Sequence, residues 1–213
     1  MKLVTAKISP FAARCRMLIY AKDLDVEFLE YPVDITLEEF RKINPIGKMP
    51  ILINEDLVIP ESDTICMYLE ESFPDPAMMP SAPSERAQMR LLSRIADLYV
   101  MAPLTPLFAH LSRKRRDQDV VDQGITAICK GLQALEANLG HGDFAVGEQL
   151  SIADCSLVPI LYFLNVYMPF FDIEEPFSDY SRLQNYSNNI TRNNHAERII
   201  KEIQQGIEQK SKR

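Results

Sequence analysis

The stretch that decides the fold reads Asn44-Pro45-Ile46-Gly47-Lys48-Met49-Pro50-Ile51-Leu52-Ile53-Asn54-Glu55-Asp56-Leu57-Val58-Ile59-Pro60-Glu61-Ser62. Two short apolar runs, 51–53 and 57–59, flank a polar turn, and this pattern predicts a β-hairpin. Pro50 cannot donate a hydrogen bond to a sheet, so we expect it at the beginning of the first strand. Pro60 ends the second strand, and the apolar residues after it have helical spacing. The stretch therefore predicts a hairpin followed by a helix.

Both ends of this hairpin carry groups that suit a peptide ligand. The Met49–Pro50 bond is a candidate cis peptide, which would turn the backbone N–H and C=O of Met49 outward to pair with an extended peptide. The helix predicted near Ser62 begins with unpaired N–H groups, and these bind carboxylates. The Ser62 hydroxyl can add a hydrogen bond, and Glu61 can face an ammonium group. We therefore expect a small peptide with an amino-acid end to bind here.

The chain before the hairpin alternates between strand and helix patterns. Leu3–Ile8 and Val26–Tyr31 predict strands, and Leu37–Ile43 predicts a short helix. Ser9-Pro10 is a favoured start for a helix between the two strands, because serine caps a helix and proline suits its first position. Strand, helix, strand, helix, hairpin and helix is the order of a thioredoxin-like α/β domain.

The chain after the hairpin loses its strand patterns. Phe73–Ser84 contains prolines at positions 74, 76, 80 and 83, which predicts a stiff connection rather than a helix. Ser151–Tyr167 is apolar almost all round and predicts a buried central helix. Asp154, three residues after Ser151, has the spacing of a capping box. The other predicted helices are Glu85–Lys114, Gln118–Leu139, Tyr180–Asn193 and Ala196–Glu208. We predict an α/β domain over 1–76, a Pro-rich linker over 77–84 and an all-α domain over 85–213.

Composition limits the classes of protein. The chain has 213 residues, 46% of them hydrophobic, and its 23 basic and 30 acidic residues give a net charge of −7, which argues against a nucleic-acid partner. The four cysteines form no C-x-x-C pair, so we expect buried free thiols in a reducing, cytoplasmic compartment. The three histidines lack metal-ligand spacing, so we expect no metal. We find no run of about 18 apolar residues and no signal peptide, so we expect no membrane association.

Four motifs together resemble the glutathione transferase family. They are Ser9-Pro10-Phe11-Ala12-Ala13-Arg14-Cys15-Arg16, Asn44-Pro45-x-Gly47-Lys48-x-Pro50, Glu61-Ser62 and Ser151-Ile152-Ala153-Asp154. The resemblance implies a thioredoxin-like glutathione-binding domain, a helical bundle domain, glutathione as co-substrate, and a homodimer. It also implies which residues contact glutathione: Ser9, Phe11, Lys48, Met49, Pro50, Glu61 and Ser62.

Ser9 is the candidate catalytic residue. It lies between the first strand and the first helix, where the resemblance implies that a Ser, Cys or Tyr contacts the sulfur of the ligand. A thiol has a pKa of about 8.5, and a hydroxyl that donates a hydrogen bond to it favours the thiolate. We therefore expect a detoxifying glutathione transferase that activates the thiol for addition to, or substitution on, a small apolar or anionic electrophile. The structural alternative is that Ser9 only caps the helix.

Other functions stay open within the family. Isomerases also use serine, but their Ser-Ser-Cys run is Ser9-Pro10-Phe11 here, which disfavours maleylacetoacetate-type isomerisation. Members that reduce mixed disulfides carry cysteine in place of Ser9. The segment Phe73–Pro80 resembles the linker of the stringent starvation protein A group, which binds RNA polymerase. The second hypothesis is therefore a non-catalytic interaction protein of this fold.

Several residues have both a functional and a structural interpretation. The basic run Arg113–Arg116 either ends a helix in solvent or attracts an anionic electrophile. Tyr99, Met101 and Phe108 either line the apolar part of an electrophile site or pack in the core. Arg14 and Arg16 are expected to pair with carboxylates.

Overall fold

A computed structural model describes residues 1–31 and 33–211 of the chain. The chain forms two compact units, Met1–Met78 together with the segment from Asn193 onward, and Met79–Arg192. The first unit contains a four-stranded sheet, whereas residues 79–192, all of which are described, contain helices and no strand. The predicted fold class, a thioredoxin-like α/β part and an all-helical part, is confirmed.

The sheet has the strand order β2-β1-β3-β4. The strands are β1 (Lys2–Thr5), β2 (Glu27–Glu30), β3 (Ile51–Asn54) and β4 (Leu57–Pro60). β1 runs parallel to β2 and antiparallel to β3, and β3 and β4 form the predicted antiparallel hairpin. β1 ends before the predicted Ile8, because the chain turns there and the Ser9 N–H donates to the Ala6 carbonyl at 3.0 Å.

The helices lie close to their predicted ranges. They are α1 (Pro10–Ala21), α2 (Leu37–Ile43), α3 (Ser62–Ser72), α4 (Pro83–Ile95), α5 (Ala102–Leu107), α6 (Gln118–Asn138), α7 (Ile152–Tyr167), α8 (Ser181–Ile190) and α9 (Asn194–Ser211). α7 is almost wholly buried, and Ser151 and Asp154 form the predicted capping box at its beginning.

A buried ion pair holds the start of the Pro-rich segment in the first unit. Lys22 Nζ lies 2.6 Å from Glu70 Oε2, and both side chains are buried. The same ammonium donates to the carbonyls of Phe73 and Pro76, and the Glu70 carboxylate accepts from the Met78 N–H. One ion pair therefore fixes three backbone groups of a segment that has no regular secondary structure.

The last helix packs in the first unit, whereas the prediction of an all-α domain over 85–213 places it in the second. Gly206 explains part of the difference, because a Cβ there would lie only 2.7 Å from Ile8 Cγ2. In addition, Glu202 of α9 pairs with the buried Arg16 of α1 at 2.9 Å. The boundaries of the predicted domains, 1–76, 77–84 and 85–213, stay predictions.

The long helix predicted over Glu85–Lys114 runs from Pro83 to His110 and is not regular throughout. A π-helical turn, Ala96–Met101, separates α4 from α5, and α6 packs closely against it, since a Cβ on Gly131 would lie 2.2 Å from the Tyr99 carbonyl oxygen. Pro83–His110 and Ile152–Phe171 are long and apolar enough to cross a membrane, although the prediction found no such run. Core helices meet the same criterion, and 72% of the most apolar window of Ile152–Phe171 is buried.

The cysteines are free thiols, as predicted, but they are not all buried. Cys15, Cys66 and Cys155 are buried, whereas Cys129 is exposed. The prediction was wrong for Cys129 because it lies beside the buried stripe of α6, which consists of Val121, Ile128, Gly131, Leu132 and Leu135.

Candidate functional site

Ser9 lies where the loop after β1 becomes α1. Its backbone is extended, and its Oγ accepts a hydrogen bond from the Ala12 N–H at 3.2 Å, so Ser9 caps the helix as expected. Its side chain is half-buried. A hydroxyl oxygen that accepts this bond keeps its own proton, which can still be donated to another group. Capping and activation of a ligand are therefore compatible in this residue.

The loop before β3 is held by a buried asparagine. Asn44 Nδ2 donates to the Lys48 carbonyl at 2.6 Å, and its Oδ1 accepts from the Ile46 N–H at 3.1 Å. Gly47 completes the turn with a φ of +69°, a conformation that favours glycine. Sequence reasoning assigned no role to Asn44, although its position in the Asn-Pro-x-Gly-Lys-x-Pro motif was the available signal.

The Met49–Pro50 peptide bond is cis, as predicted. The Met49 side chain is half-buried and packs against the cluster that contains Val4, Phe40 and Ile51. Pro50 is buried, whereas Lys48 is exposed. Lys48 is thus exposed to solvent, and the backbone around it is held by Asn44 on one side and by the packing of Met49 on the other.

The beginning of α3 places Glu61, Ser62, Phe11 and Arg14 together. Ser62 is buried, and Arg14, which is also buried, donates from Nη1 to the Ser62 Oγ at 3.3 Å. The same guanidinium lies 5.8 Å from the centre of the Phe11 ring. Sequence reasoning predicted a carboxylate partner for Arg14 and missed this contact with Ser62, which lies 48 residues away along the chain.

Glu61 precedes α3 in an unusual backbone conformation. Its φ is +68°, which costs about 1–3 kcal/mol for a residue other than glycine. Its side chain is exposed and does not cap the helix. Glu61 thus places an exposed carboxylate on the residue directly before the helix, and the N–H groups at the helix N-terminus and the Arg14 cation favour an anion there. These opposite charges can bind the ammonium and the carboxylate of one amino acid.

Buried thiols lie below this helix N-terminus. The Cys15 Sγ donates to the Ser62 carbonyl at 3.6 Å. A hydrogen bond with Cys15, together with burial, raises the pKa of the Cys66 thiol well above its ordinary value. Both thiols are wholly buried, so they support the helix end and cannot contact a ligand there.

In the second unit, the basic run Arg113–Arg116 is largely bound to the protein itself. Arg113 pairs with Asp172. Arg116 donates to the carbonyls of His110 and Phe170 at 3.2 and 2.6 Å and lies 5.0 Å from the centre of the Phe171 ring. The expectation of solvated cations fits Arg113, because 74% of its side chain is exposed in the pair with Asp172. Arg116 is half-buried and instead contacts the turn at 168–172. Lys114 and Arg115 are exposed.

That turn belongs to a cluster of four aromatic rings. Tyr167 lies at its centre, with ring-centroid distances of 4.9 Å to Phe108, 5.4 Å to Phe163 and 6.3 Å to Phe170. Phe170 is 49% exposed, and burial raises the pKa of the Tyr167 phenol. Of the three predicted apolar candidates, Phe108 joins this cluster. Met101 is buried in the core, and Tyr99 is 58% exposed.

The chain matches two domain models of one family. The model described as glutathione S-transferase, N-terminal domain, matches residues 3–77, and the model described as glutathione S-transferase, C-terminal domain, matches residues 118–189. The first match covers the predicted glutathione-binding domain, 1–76, and the second covers most of the helical unit, Met79–Arg192.

Named proteins and a solved structure show the same likeness. Glutathione S-transferase Z2 of Arabidopsis thaliana is 33% identical over 172 residues, which are 76% of this chain and 75% of that protein. The "Probable maleylacetoacetate isomerase" of Caenorhabditis elegans is 33% identical over 162 residues, 71% of this chain and 73% of that protein. The crystal structure of maleylacetoacetate isomerase from Methylobacterium extorquens AM1, with bound malonate and glutathione, has a TM-score of 0.76 at 22% identity. It covers 93% of this chain and 95% of that one, and it shows the same fold.

Proposed function

Because this chain belongs to the glutathione S-transferase family, we propose that it binds glutathione and activates its thiol for reaction with a small electrophile. The observation that carries this proposal is the beginning of α3, where the buried Arg14 donates to the Ser62 Oγ beside the exposed Glu61, and we assign this cluster to the amino-acid end of glutathione. The solved isomerase with bound glutathione supports the choice of ligand. We place the reaction in the cytoplasm, where glutathione is the reduced thiol.

The proposed roles follow from the chemistry of each group. The ammonium of the γ-glutamyl end faces Glu61, and its carboxylate binds Ser62 and the N–H groups of α3. The backbone of Met49 pairs with the peptide, while Phe11, Lys48 and Pro50 flank it. The Ser9 hydroxyl donates a hydrogen bond to the sulfur and keeps its own proton. The thiol releases its proton to solvent, and the thiolate forms a sulfur–carbon bond. In a substitution the leaving group departs with the electron pair of its bond to that carbon, and in an addition the adjacent carbon takes up a proton from water.

The first test is binding of glutathione. We expect heat in calorimetry at micromolar to millimolar affinity, and Ser62→Ala should weaken binding about tenfold to hundredfold, because a hydrogen bond to a charged group contributes about 1.5–3 kcal/mol. Glu61→Ala should weaken it as well. Asp56→Ala, which removes an exposed acid from the hairpin turn of the same unit, is the control and should change nothing. If millimolar glutathione gives no heat, a non-catalytic interaction protein becomes the better reading.

An apolar, aromatic electrophile fits the second unit better than an anionic one. In the aromatic cluster, Phe170 is exposed and Phe108 and Tyr167 are half-buried, while Phe163 is buried beneath them. Aromatic pairs contribute about 0.5–1.5 kcal/mol beyond their burial. Two cations of the neighbouring basic run, Arg113 and Arg116, already pair with groups of this chain.

Phe170→Ala tests the class of electrophile. We expect it to raise the KM for chlorodinitrobenzene about twofold to tenfold, the equivalent of about 0.5–1.5 kcal/mol, and to leave the KM for iodoacetamide unchanged. Both substrates are attacked by substitution, but only the first has a ring. Cys129→Ser should be present throughout, since this thiol is exposed and reacts with either reagent. Val120→Ala, with 37% exposure in α6, is the control. Equal effects on both substrates would contradict the aromatic site.

A glutathione-dependent isomerase is the second candidate function. The relatives named maleylacetoacetate isomerase favour it, whereas the Ser9-Pro10-Phe11 run disfavours it. An isomerase adds the thiolate and releases it again, so glutathione is regenerated. Turnover of maleylacetoacetate with substoichiometric glutathione would therefore establish isomerisation, and stoichiometric loss of glutathione would establish transfer.

We also propose a homodimer in which the helical region from Glu85 contacts a second copy. Leu91, Leu98 and Tyr99 are 45%, 47% and 58% exposed along α4 and the π-helical turn, and an apolar row of this kind suits a protein interface. Sedimentation should report twice the 24.3 kDa of the chain. Leu98→Glu should produce monomers, whereas Leu57→Glu, with similar exposure in β4, should not. A monomeric wild type would contradict the proposal.

A further inference from the structure

One buried arginine connects the last helix with the loop that carries Ser9. Arg16 of α1 is 3% exposed, and its Nε donates to Glu202 Oε2 of α9 at 2.9 Å. Its Nη1 donates to the Thr5 hydroxyl and the Ala6 carbonyl at 2.6 and 3.1 Å, and its Nη2 donates to the Lys7 carbonyl at 3.2 Å. A single planar guanidinium therefore joins α9 to three consecutive residues at the end of β1.

The Ala6 carbonyl connects Arg16 with Ser9, because it accepts a hydrogen bond from each of them. It accepts from Arg16 Nη1 and also from the Ser9 backbone N–H, at 3.1 and 3.0 Å. α9 also meets the loop directly, because a Cβ on Gly206 would lie 2.9 Å from Lys7 Cβ and 3.1 Å from the Ile8 nitrogen. The loop that ends in Ser9 is thus held by hydrogen bonds from Arg16 and by contact with the backbone of α9.

Glu202 is itself held by neighbouring side chains. Its Oε1 accepts from the Tyr20 hydroxyl at 2.9 Å and lies 3.4 Å from Arg198 Nε. Burial and the bond to Glu202 raise the pKa of Tyr20 to about 12, so Tyr20 stays a hydrogen-bond donor throughout the physiological range. Glu202, which accepts from Arg16 through Oε2, is therefore held by Tyr20 and Arg198 through Oε1.

We propose that Arg16 and Glu202 are positioning residues that hold the Ser9 hydroxyl in place for its hydrogen bond to the thiol of glutathione. This inference rests on the proposed function. Arg16 bonds to the Ala6 and Lys7 carbonyls, which lie beyond the last residue of β1. A displacement of about 1 Å at a reacting group can cost up to about a hundredfold in rate. Neither residue needs to touch the ligand, because both act through the backbone of Ser9.

The test replaces each residue conservatively. Glu202→Gln should lower kcat about tenfold and raise the pKa of the bound glutathione thiol by about one unit. The dissociation constant of glutathione should change less than about twofold. Arg16→Lys should have a larger effect, because an ammonium cannot reproduce the guanidinium fork. In a Ser9→Ala background, Glu202→Gln should cause no further loss of kcat. Additive losses in the double variant would overturn the proposal.

Two variants of the same helix separate positioning from stability. Glu197→Gln breaks an exposed pair with Lys201 and should change neither the rate nor the thiol pKa. Ile203→Val removes a wholly buried methyl group and should lower the melting temperature without changing the thiol pKa. An equal change in the thiol pKa in Ile203→Val would show that Glu202 acts only through stability and would overturn the proposal.

Hydrogen exchange of the Ser9 amide tests the positioning role of Glu202 even if glutathione does not bind. In the unliganded protein, Glu202→Gln should speed exchange of the Ser9 amide, because a neutral amide holds Arg16 less firmly against the Ala6 carbonyl that accepts from Ser9, and Ile203→Val should not. Unchanged Ser9 exchange would overturn the positioning role. Faster exchange in a protein that gives no heat with glutathione would retain the link from α9 to Ser9 and would reject only the proposed reaction.

Discussion

Ser9→Ala is expected to slow glutathione conjugation about tenfold to hundredfold near neutral pH. A hydrogen bond to a charged group contributes about 1.5–3 kcal/mol, and one pKa unit corresponds to about 1.4 kcal/mol. Loss of the Ser9 donor should therefore raise the pKa of the bound thiol by about one to two units. Because the hydrogen bond from Ser9 favours the thiolate, the rate difference between wild type and Ser9→Ala is greatest at pH values below the pKa of the bound thiol in either protein. It disappears at high pH, where the thiol ionises in either protein.

The measurement is the ultraviolet absorbance of the bound thiolate as a function of pH. Ser9→Ala also removes a helix cap, worth about 1 kcal/mol, so Thr36→Ala is the matched control. Thr36 caps α2 in the same unit, and its loss should lower stability without moving the titration. When oxidised glutathione is supplied, the thiolate of Ser9→Cys should attack its disulfide, form a mixed disulfide and release one reduced glutathione. Identical curves for wild type and Ser9→Ala would leave Ser9 as a cap only.

The parts of the fold that the sequence predicted are those determined by neighbouring residues. The hairpin, the Ser9 cap, the bounds of α2 and the capping box of α7 each depend on residue types within a few positions. The cis Met49–Pro50 bond follows the same rule, because cis peptide bonds are almost confined to X–Pro pairs. Pro50 itself lies one residue before β3, not in it as expected. Local patterns of this kind fix secondary structure and leave the pairing of distant segments open.

The contacts that were missed join residues far apart in the chain. Arg16 pairs with a carboxylate, as predicted, but its partner Glu202 lies 186 residues away, in a helix assigned to the other domain. Arg14 reaches Ser62, and Lys22 reaches Glu70. A charged residue inside an apolar helix shows that some partner must exist. It does not show which of the 30 acidic residues or many hydroxyls and carbonyls that partner is.

The capping-box prediction for Asp154 covers only part of the contacts that this residue makes. Its replacement should have the largest effect on the free energy of unfolding. The capping box accounts for Oδ2, which accepts from the N–H and hydroxyl of Ser151 at 2.8 and 2.9 Å. The structure adds Oδ1, which accepts from the Ala145 N–H and the Tyr186 hydroxyl at 2.8 and 3.0 Å. Asp154 is wholly buried, so the four donors have no water as a substitute.

We expect Asp154→Ala to lower the free energy of unfolding by about 2–6 kcal/mol. Two hydroxyls can rotate to other acceptors, but the two buried N–H groups cannot, and each unsatisfied group costs about 1–3 kcal/mol. Urea unfolding measures the loss. Asp117→Ala is the matched control, because Asp117 caps α6 at the surface, where water replaces it and the cost should be about 1 kcal/mol. Tyr186→Phe removes one donor and should cost less than Asp154→Ala. If Asp154→Ala costs no more than Asp117→Ala, the contacts of Oδ1 add nothing, and Asp154 is a helix cap like any other.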